Sequence, residues 1–179
     1  FHRSCWRPRA IFETFVTAPH RKDVKIPSLE SGTTAQPSPC SEPGWCRKVI
    51  ERLVPFDLNV LVFDPFFSVE DAAKLGVEKV TLEEAIARGQ VVSNHLANVP
   101  ETKGLLRAFH FQALPENAVF LNTGRGATVV ESDLVTVLKQ RPDLTALLDV
   151  TDPEPSLEES AFYRLPNVFM SSHIPGSIG

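Results

Sequence analysis

Arg125 stands between two glycines in L-N-T-G-R-G (Leu121 to Gly126), directly after the apolar, β-branched run Ala118 to Leu121. A guanidinium held in such a turn offers a planar, permanently charged fork to a carboxylate or phosphate. Three other apolar runs end on or near titratable groups: Asn59 to Asp64, Thr145 to Val150 with Asp149 near its end and Glu154 shortly after, and Val168 to His173. If these runs are parallel strands of one open sheet, their carboxyl ends share an edge, where such sheets bind ligands. An arginine, a carboxylate and a histidine on one edge form a hydride-transfer constellation. The arginine would hold a substrate carboxylate and polarise its carbonyl, and the histidine would give or take the hydroxyl proton. A carboxylate bonded to that histidine would favour its protonated form. Each residue also has a plainer reading: Arg125 a surface arginine in a turn, Asp64 a strand cap, Glu154 one acid among several in a polar loop, His173 a satisfied strand-end histidine.

The elements that must position these groups follow from periodicity and punctuation. Arg47 to Phe56 puts Val49, Ile50, Leu53 and Val54 on one helical face and ends near Pro55. Asn59 to Asp64 reads as a strand closed by Pro65. Ser68-Val69-Glu70-Asp71 opens a short helix in capping style and Gly76 ends it; Thr81-Leu82-Glu83-Glu84 repeats that opening for a helix through about Arg88. Val91 to Leu96 is the next strand, Thr102 to Leu114 is expected to be helical, and Glu131 to Gln140 is an amphipathic helix with Leu134, Val135 and Leu138 inside. Strands alternating with helices and no hairpin signals predict an α/β, doubly wound parallel sheet.

At 179 residues, with 42% hydrophobic and 22% charged residues, the chain is long enough for one domain with a proper core. No apolar run approaches a membrane span. The net charge of −4 argues against a nucleic-acid partner, and it is unevenly spread: six Arg/Lys against three Asp/Glu in the first thirty residues, which leaves 12 − 19 = −7 for the remainder. Cys5, Cys40 and Cys46 lack metal-ligand spacing and read as reduced thiols, in keeping with a cytoplasmic protein; no metal is expected. Residues 1–45 read as an irregular arm, Ser28 to Gly44 being rich in Ser, Pro, Thr and Gly. The chain starts at Phe1 and its sole methionine is Met170, so a fragment or processed chain is expected.

From about Arg47 onward the sequence resembles the nucleotide-binding domain of the D-isomer-specific 2-hydroxyacid dehydrogenases. The motifs that carry the resemblance, in order, are F-D-P (Phe63 to Pro65), P-E-T-K-G-L (Pro100 to Leu105), L-N-T-G-R-G, L-D-V-T-D-P-E-P (Leu148 to Pro155) and L-P-N-V-F-M-S-S-H-I-P-G (Leu165 to Gly176). The resemblance implies a Rossmann-type domain over 46–179, with NAD as cofactor and a small 2-hydroxy or 2-keto acid as substrate. It implies Arg125 as substrate anchor, Glu154 and His173 as the acid/base pair, and Asp64 as the ligand of the adenosine ribose. Pro65, Asn122, Thr123, Gly124, Asp149 and Gly176 would line the cofactor, with Asp149 near the nicotinamide amide. NAD is expected over NADP because Asp64 would repel a 2′-phosphate. A homodimer through the nucleotide domain is also implied.

The sequence departs from the family pattern in places. Ser172 stands where proline is usual, Pro175 where alanine is usual, and Ala97 and Val99 replace residues that commonly line the adenine side. More serious, S-E-P-G-W-C (Ser41 to Cys46) stands where the family has its G-x-G-x-x-G turn, and two prolines rule out T-A-Q-P-S-P-C as a central strand. Read one base out of frame, synonymous codons for Gln36 through Cys46 allow T-V-A-L-F-G-T-G-V-V, a strand followed by G-x-G, so residues up to about Cys46 are compatible with a shifted frame. The expected function is NAD-dependent interconversion of 2-hydroxy and 2-keto acids, impaired in this chain. The alternatives are a non-catalytic NAD(H)-binding or protein-interaction module, or an inactive fragment.

Overall fold

The computed structural model describes residues 15–17, 45–53, 56, 58–64 and 67–173. Their order is β1 (Phe15–Thr17), α1 (Trp45–Leu53), β2 (Leu61–Phe63), α2 (Val69–Leu75), β3 (Glu78–Lys79), α3 (Leu82–Arg88), β4 (Val91–Asn94), α4 (Ala108–Gln112), β5 (Val119–Asn122), α5 (Glu131–Gln140), β6 (Thr145–Leu148) and β7 (Val168–Met170). The strands form one sheet in the order β3-β2-β1-β4-β5-β6-β7. The pairs β2–β3, β4–β5, β5–β6 and β6–β7 are parallel, as the expected Rossmann-type fold requires.

Alternation along the strands sorts side chains to two faces. On one face Leu61, Val92, Phe120, Ala146 and Leu148 join α3, α4 and α5 in the main core, where Ala85, Phe111, Leu134 and Val137 are buried. On the other, Val60 and Val62 pack with Ile50 of α1, Phe67 and Ala72 of α2. Ile50 and Leu53 lie on the apolar face read from the sequence; Val54 and Pro55 lie outside the described residues.

The short helices start and stop where their caps say. The Ser68 hydroxyl accepts from the Asp71 N–H at 3.0 Å, and α2 ends at Gly76 with φ 67°, a conformation that costs a side chain about 1–2 kcal/mol. Thr81 and Glu84 form a reciprocal capping box, with bonds of 2.9 and 3.2 Å. No helix among the described residues is long and apolar enough to cross a membrane.

Two regions differ from expectation. In the stretch read as an irregular arm, Phe15–Thr17 form β1, which lies between β2 and β4 and runs antiparallel to both, with Phe15 opposite Phe63 and Val16 opposite Ser93. The proline-rich Ser28 to Gly44 lies outside the described residues. The segment Thr102 to Leu114, expected to be helical throughout, is helical only at Ala108–Gln112. The residues before it pair with the chain after β5 instead. The Gly104 N–H donates to Ala127 O (2.8 Å), Leu106 N–H to Thr128 O (3.0 Å) and Val130 N–H to Leu106 O (2.9 Å). Burial of Leu106 against this neighbour outweighs the helical propensity of the segment.

Candidate active site at the carboxyl edge of the sheet

β4 to β7 are in register, with Asn94 opposite Asn122, Asn122 opposite Leu148 and Leu148 opposite Met170. The chain therefore leaves all four strands on one edge, and it leaves β2 there too, at Asp64. Arg125, Asp149, Glu154 and His173 all follow these strand ends. Pro65 and Gly176, expected to line the cofactor, lie outside the described residues, as does Pro175.

The Arg125 turn is clamped from below. Asn94 and Asn122 are buried at the ends of β4 and β5, and the Asn94 amide donates to Asn122 Oδ1 (3.0 Å) and to Thr128 Oγ1 (2.8 Å). Thr128 in turn donates its hydroxyl proton to the Arg125 carbonyl (2.7 Å), and the Gly124 N–H donates to Asn122 Oδ1 (3.3 Å). The exposed Arg125 side chain folds back to donate from Nη1 to Gly124 O (2.8 Å). Its C-terminal neighbour must be glycine: a Cβ on Gly126 would stand 2.1 Å from the Thr151 carbonyl. That close approach brings the Arg125 turn against the loop carrying Glu154.

The same loop is held from α5, where Glu131 Oε1 accepts from the Asp152 N–H (2.8 Å). Burial pushes the Glu131 carboxyl above its ordinary value, and the backbone bond opposes that. Beyond the loop, Glu154 Oε1 meets His173 Nδ1 at 2.5 Å. The two side chains remain 35% (His173) and 43% (Glu154) exposed, which keeps a proton exchangeable with solvent. His173 has a left-handed backbone (φ 54°) and its N–H donates to Asp149 O (3.1 Å). A non-glycine residue held there marks a position over-determined by its surroundings. Asp149, itself buried, accepts from the Ser171 hydroxyl, and its N–H donates to Asn122 O (3.0 Å). The Glu154–His173 pair and the strand that leads to Arg125 are thus joined through Asp149.

Sequence reasoning missed Asn94, Thr128 and His95. The signal for Asn94 was its place two residues after Val92 on a core-facing strand side, an inward polar group at a strand end. His95 bridges the same two strands, with Nε2 at 2.8 Å from Ser93 Oγ and Nδ1 at 3.4 Å from Thr123 Oγ1. Burial lowers its pKa, which favours the neutral ring.

The groups present fit a nicotinamide dinucleotide by their chemistry at two places. A carboxylate at the end of β2 suits a ribose diol, and a carboxylate with carbonyls at the ends of β5 and β6 suits a carboxamide. The stretch between these places differs. Because β1 is antiparallel, its carboxyl end Thr17 lies at the opposite edge from Asp64.

Residues 45–175 match the family model described as D-isomer specific 2-hydroxyacid dehydrogenase, NAD binding domain. A D-3-phosphoglycerate dehydrogenase of Archaeoglobus fulgidus is 32% identical over 130 residues, covering 73% of this chain and 25% of that protein. The putative 2-hydroxyacid dehydrogenase YoaD of Bacillus subtilis is 35% identical over 133 residues, or 73% of this chain and 38% of its own. Among solved structures, a phosphoglycerate oxidoreductase of Vibrio cholerae superposes with a TM-score of 0.67 at 27% identity, over 72% of this chain and 41% of that one. The matched region thus spans between a quarter and about two-fifths of each relative's length. With its sheet order, strand-end groups and family match in agreement, the chain belongs to the NAD-binding domain family of the D-isomer-specific 2-hydroxyacid dehydrogenases.

Proposed function

We propose that this chain supplies the cofactor-facing half of an oxidoreductase site that interconverts 2-hydroxy and 2-keto acids. Arg125 anchors the substrate carboxylate and polarises the carbonyl, and His173, backed by Glu154, moves the hydroxyl proton. The observation that supports this reading is the 2.5 Å His173–Glu154 contact, at the same sheet edge as Arg125. NAD, when bound, supplies the hydride acceptor or donor. With Nδ1 engaged by Glu154, His173 gives or takes the substrate proton at Nε2, and the carboxylate offsets the charge the ring acquires. Asp149 orients the carboxamide, alongside the turn Asn122 to Gly124. Asp64 accepts from the adenosine ribose, and its charge disfavours a 2′-phosphate, so NAD is preferred to NADP. Weak cofactor binding is part of the proposal, because the sequence before Arg47 lacks a G-x-G-x-x-G turn. A homodimer and a cytoplasmic setting are further parts, supported by the family resemblance.

The Arg125 guanidinium, turned back onto Gly124 O, favours a second reading, a domain that binds NAD(H) without turnover. Oxidation of NADH with a panel of 2-keto acids such as glyoxylate and pyruvate separates the two. Turnover that disappears in Arg125→Ala and His173→Ala, with NADH binding retained, supports the first. NADH binding with no turnover of any 2-keto acid supports the second, and absence of both refutes each.

A further inference from the structure

The Arg125 guanidinium sits on a long, exposed side chain, so the direction from which it can meet a substrate depends on how firmly its backbone is held. We propose that Asn94 is a positioning residue for Arg125, acting through Asn122 and Thr128; the proposal rests on Arg125 being the substrate anchor.

Asn94 is fully buried, and its amide orientation is decided by its own strand end. The Leu96 N–H donates to Oδ1 at 3.0 Å, which turns the amino group toward the neighbouring strand. Both amino protons are then used, one on Asn122 Oδ1 and one on Thr128 Oγ1. Each of these bonds orients a second group. Because Thr128 Oγ1 accepts from Asn94, its own proton is directed to the Arg125 carbonyl at 2.7 Å. Because Asn122 Oδ1 faces Asn94, it also lies in reach of the Gly124 N–H at 3.3 Å. One amide therefore holds the turn on both sides of Arg125, at the N–H before it and at the carbonyl of Arg125 itself. A leucine at position 94 would fill the same core without the cost of burying an amide, so filling space does not account for the group present. What the amide adds is direction, since a fully satisfied buried network permits one arrangement of its members.

The test uses the full chain with Thr128→Val, which keeps shape but loses the hydroxyl, Thr128→Ser, which keeps the hydroxyl, and Asn94→Leu. Two quantities are read: KM against kcat for a 2-keto acid with NADH, and amide hydrogen exchange at Gly124 and Thr128, which needs neither cofactor nor turnover. The Thr128 N–H donates to Arg125 O and so reports the same turn. Thr128→Val and Asn94→Leu are expected to raise KM about tenfold with a smaller change in kcat, and to speed exchange at both amides by a similar factor. Thr128→Ser should stay within about twofold of the parent on both counts. Exchange at the parent rate in Thr128→Val overturns the proposal, as does faster exchange with KM unchanged. Should Asn94→Leu fail to fold, the valine–serine pair at position 128 decides alone. Should the parent chain turn over no 2-keto acid, the functional reading has failed, and the exchange rates alone support or overturn the positioning role.

Discussion

The β4–β7 half of the sheet edge and the β2 half are held by different means. Around Arg125 and His173 the chain is tied by buried amides, a glycine contact that admits no Cβ, and a loop bonded to α5. Around Asp64 the described ties are main-chain carbonyls that accept one backbone and one lysine donor: the Phe67 N–H donates to Asp64 O at 3.3 Å, and Lys79 Nζ to Phe67 O at 2.5 Å. The strand beside it, β1, is three residues long and antiparallel. A site whose parts brace one another tolerates little change at any one of them.

The proposed roles make that contrast measurable. The largest effect is expected from His173→Ala and Arg125→Ala, each lowering kcat/KM for a 2-keto acid about 10²–10⁴-fold while NADH binding, read by fluorescence, stays near the parent value. Next comes Gly126→Ala. Forcing Thr151 away should destabilise the fold by about 1–3 kcal/mol in urea unfolding and cost turnover as well, because the Arg125 turn and the Glu154 loop separate. A fully stable, fully active Gly126→Ala variant would refute the bracing.

Asp64→Ala probes the other half. It should relax the preference for NADH over NADPH about tenfold; unaltered discrimination would remove Asp64 from the ribose site. The smallest effect is expected at Glu131, whose carboxyl is raised by burial. A raised value in the folded state means stability fully present below the ordinary glutamate range and lost as pH rises through the raised one. Glu131→Gln keeps an acceptor for the Asp152 N–H and removes that loss. The difference in melting temperature between variant and parent should therefore grow in the variant's favour from pH 4 toward neutrality, an ordinary glutamate value lying at about 4.3. A difference flat in pH would count against burial as the cause.

Much of the fold was legible because its signals are local. Ser68 and the Thr81–Glu84 box mark helix starts through bonds spanning three residues, and Gly76 marks a stop through its own backbone angle. The apolar runs now seen as β2, β4, β5, β6 and β7 were readable, as were the charged groups at their ends. The two-residue β3 was not, since Glu78 and Lys79 are exposed and carry no apolar pattern. Nor was the break in Thr102 to Leu114, where the deciding bonds run to residues more than twenty positions away.

What the amino-acid sequence determined by itself is therefore most of the elements from α1 onward, their caps and the residue types delivered to one edge, because propensity, capping and alternation act over a few neighbours. Only the tertiary structure decided which segment lies between β2 and β4 and in which direction, since a buried backbone takes whichever partner satisfies its N–H and C=O groups. It alone joined Asn94 to Thr128 across 34 positions and seated Gly126 on Thr151. These contacts depend on the packing of whole strands and carry no local signature that a sequence displays.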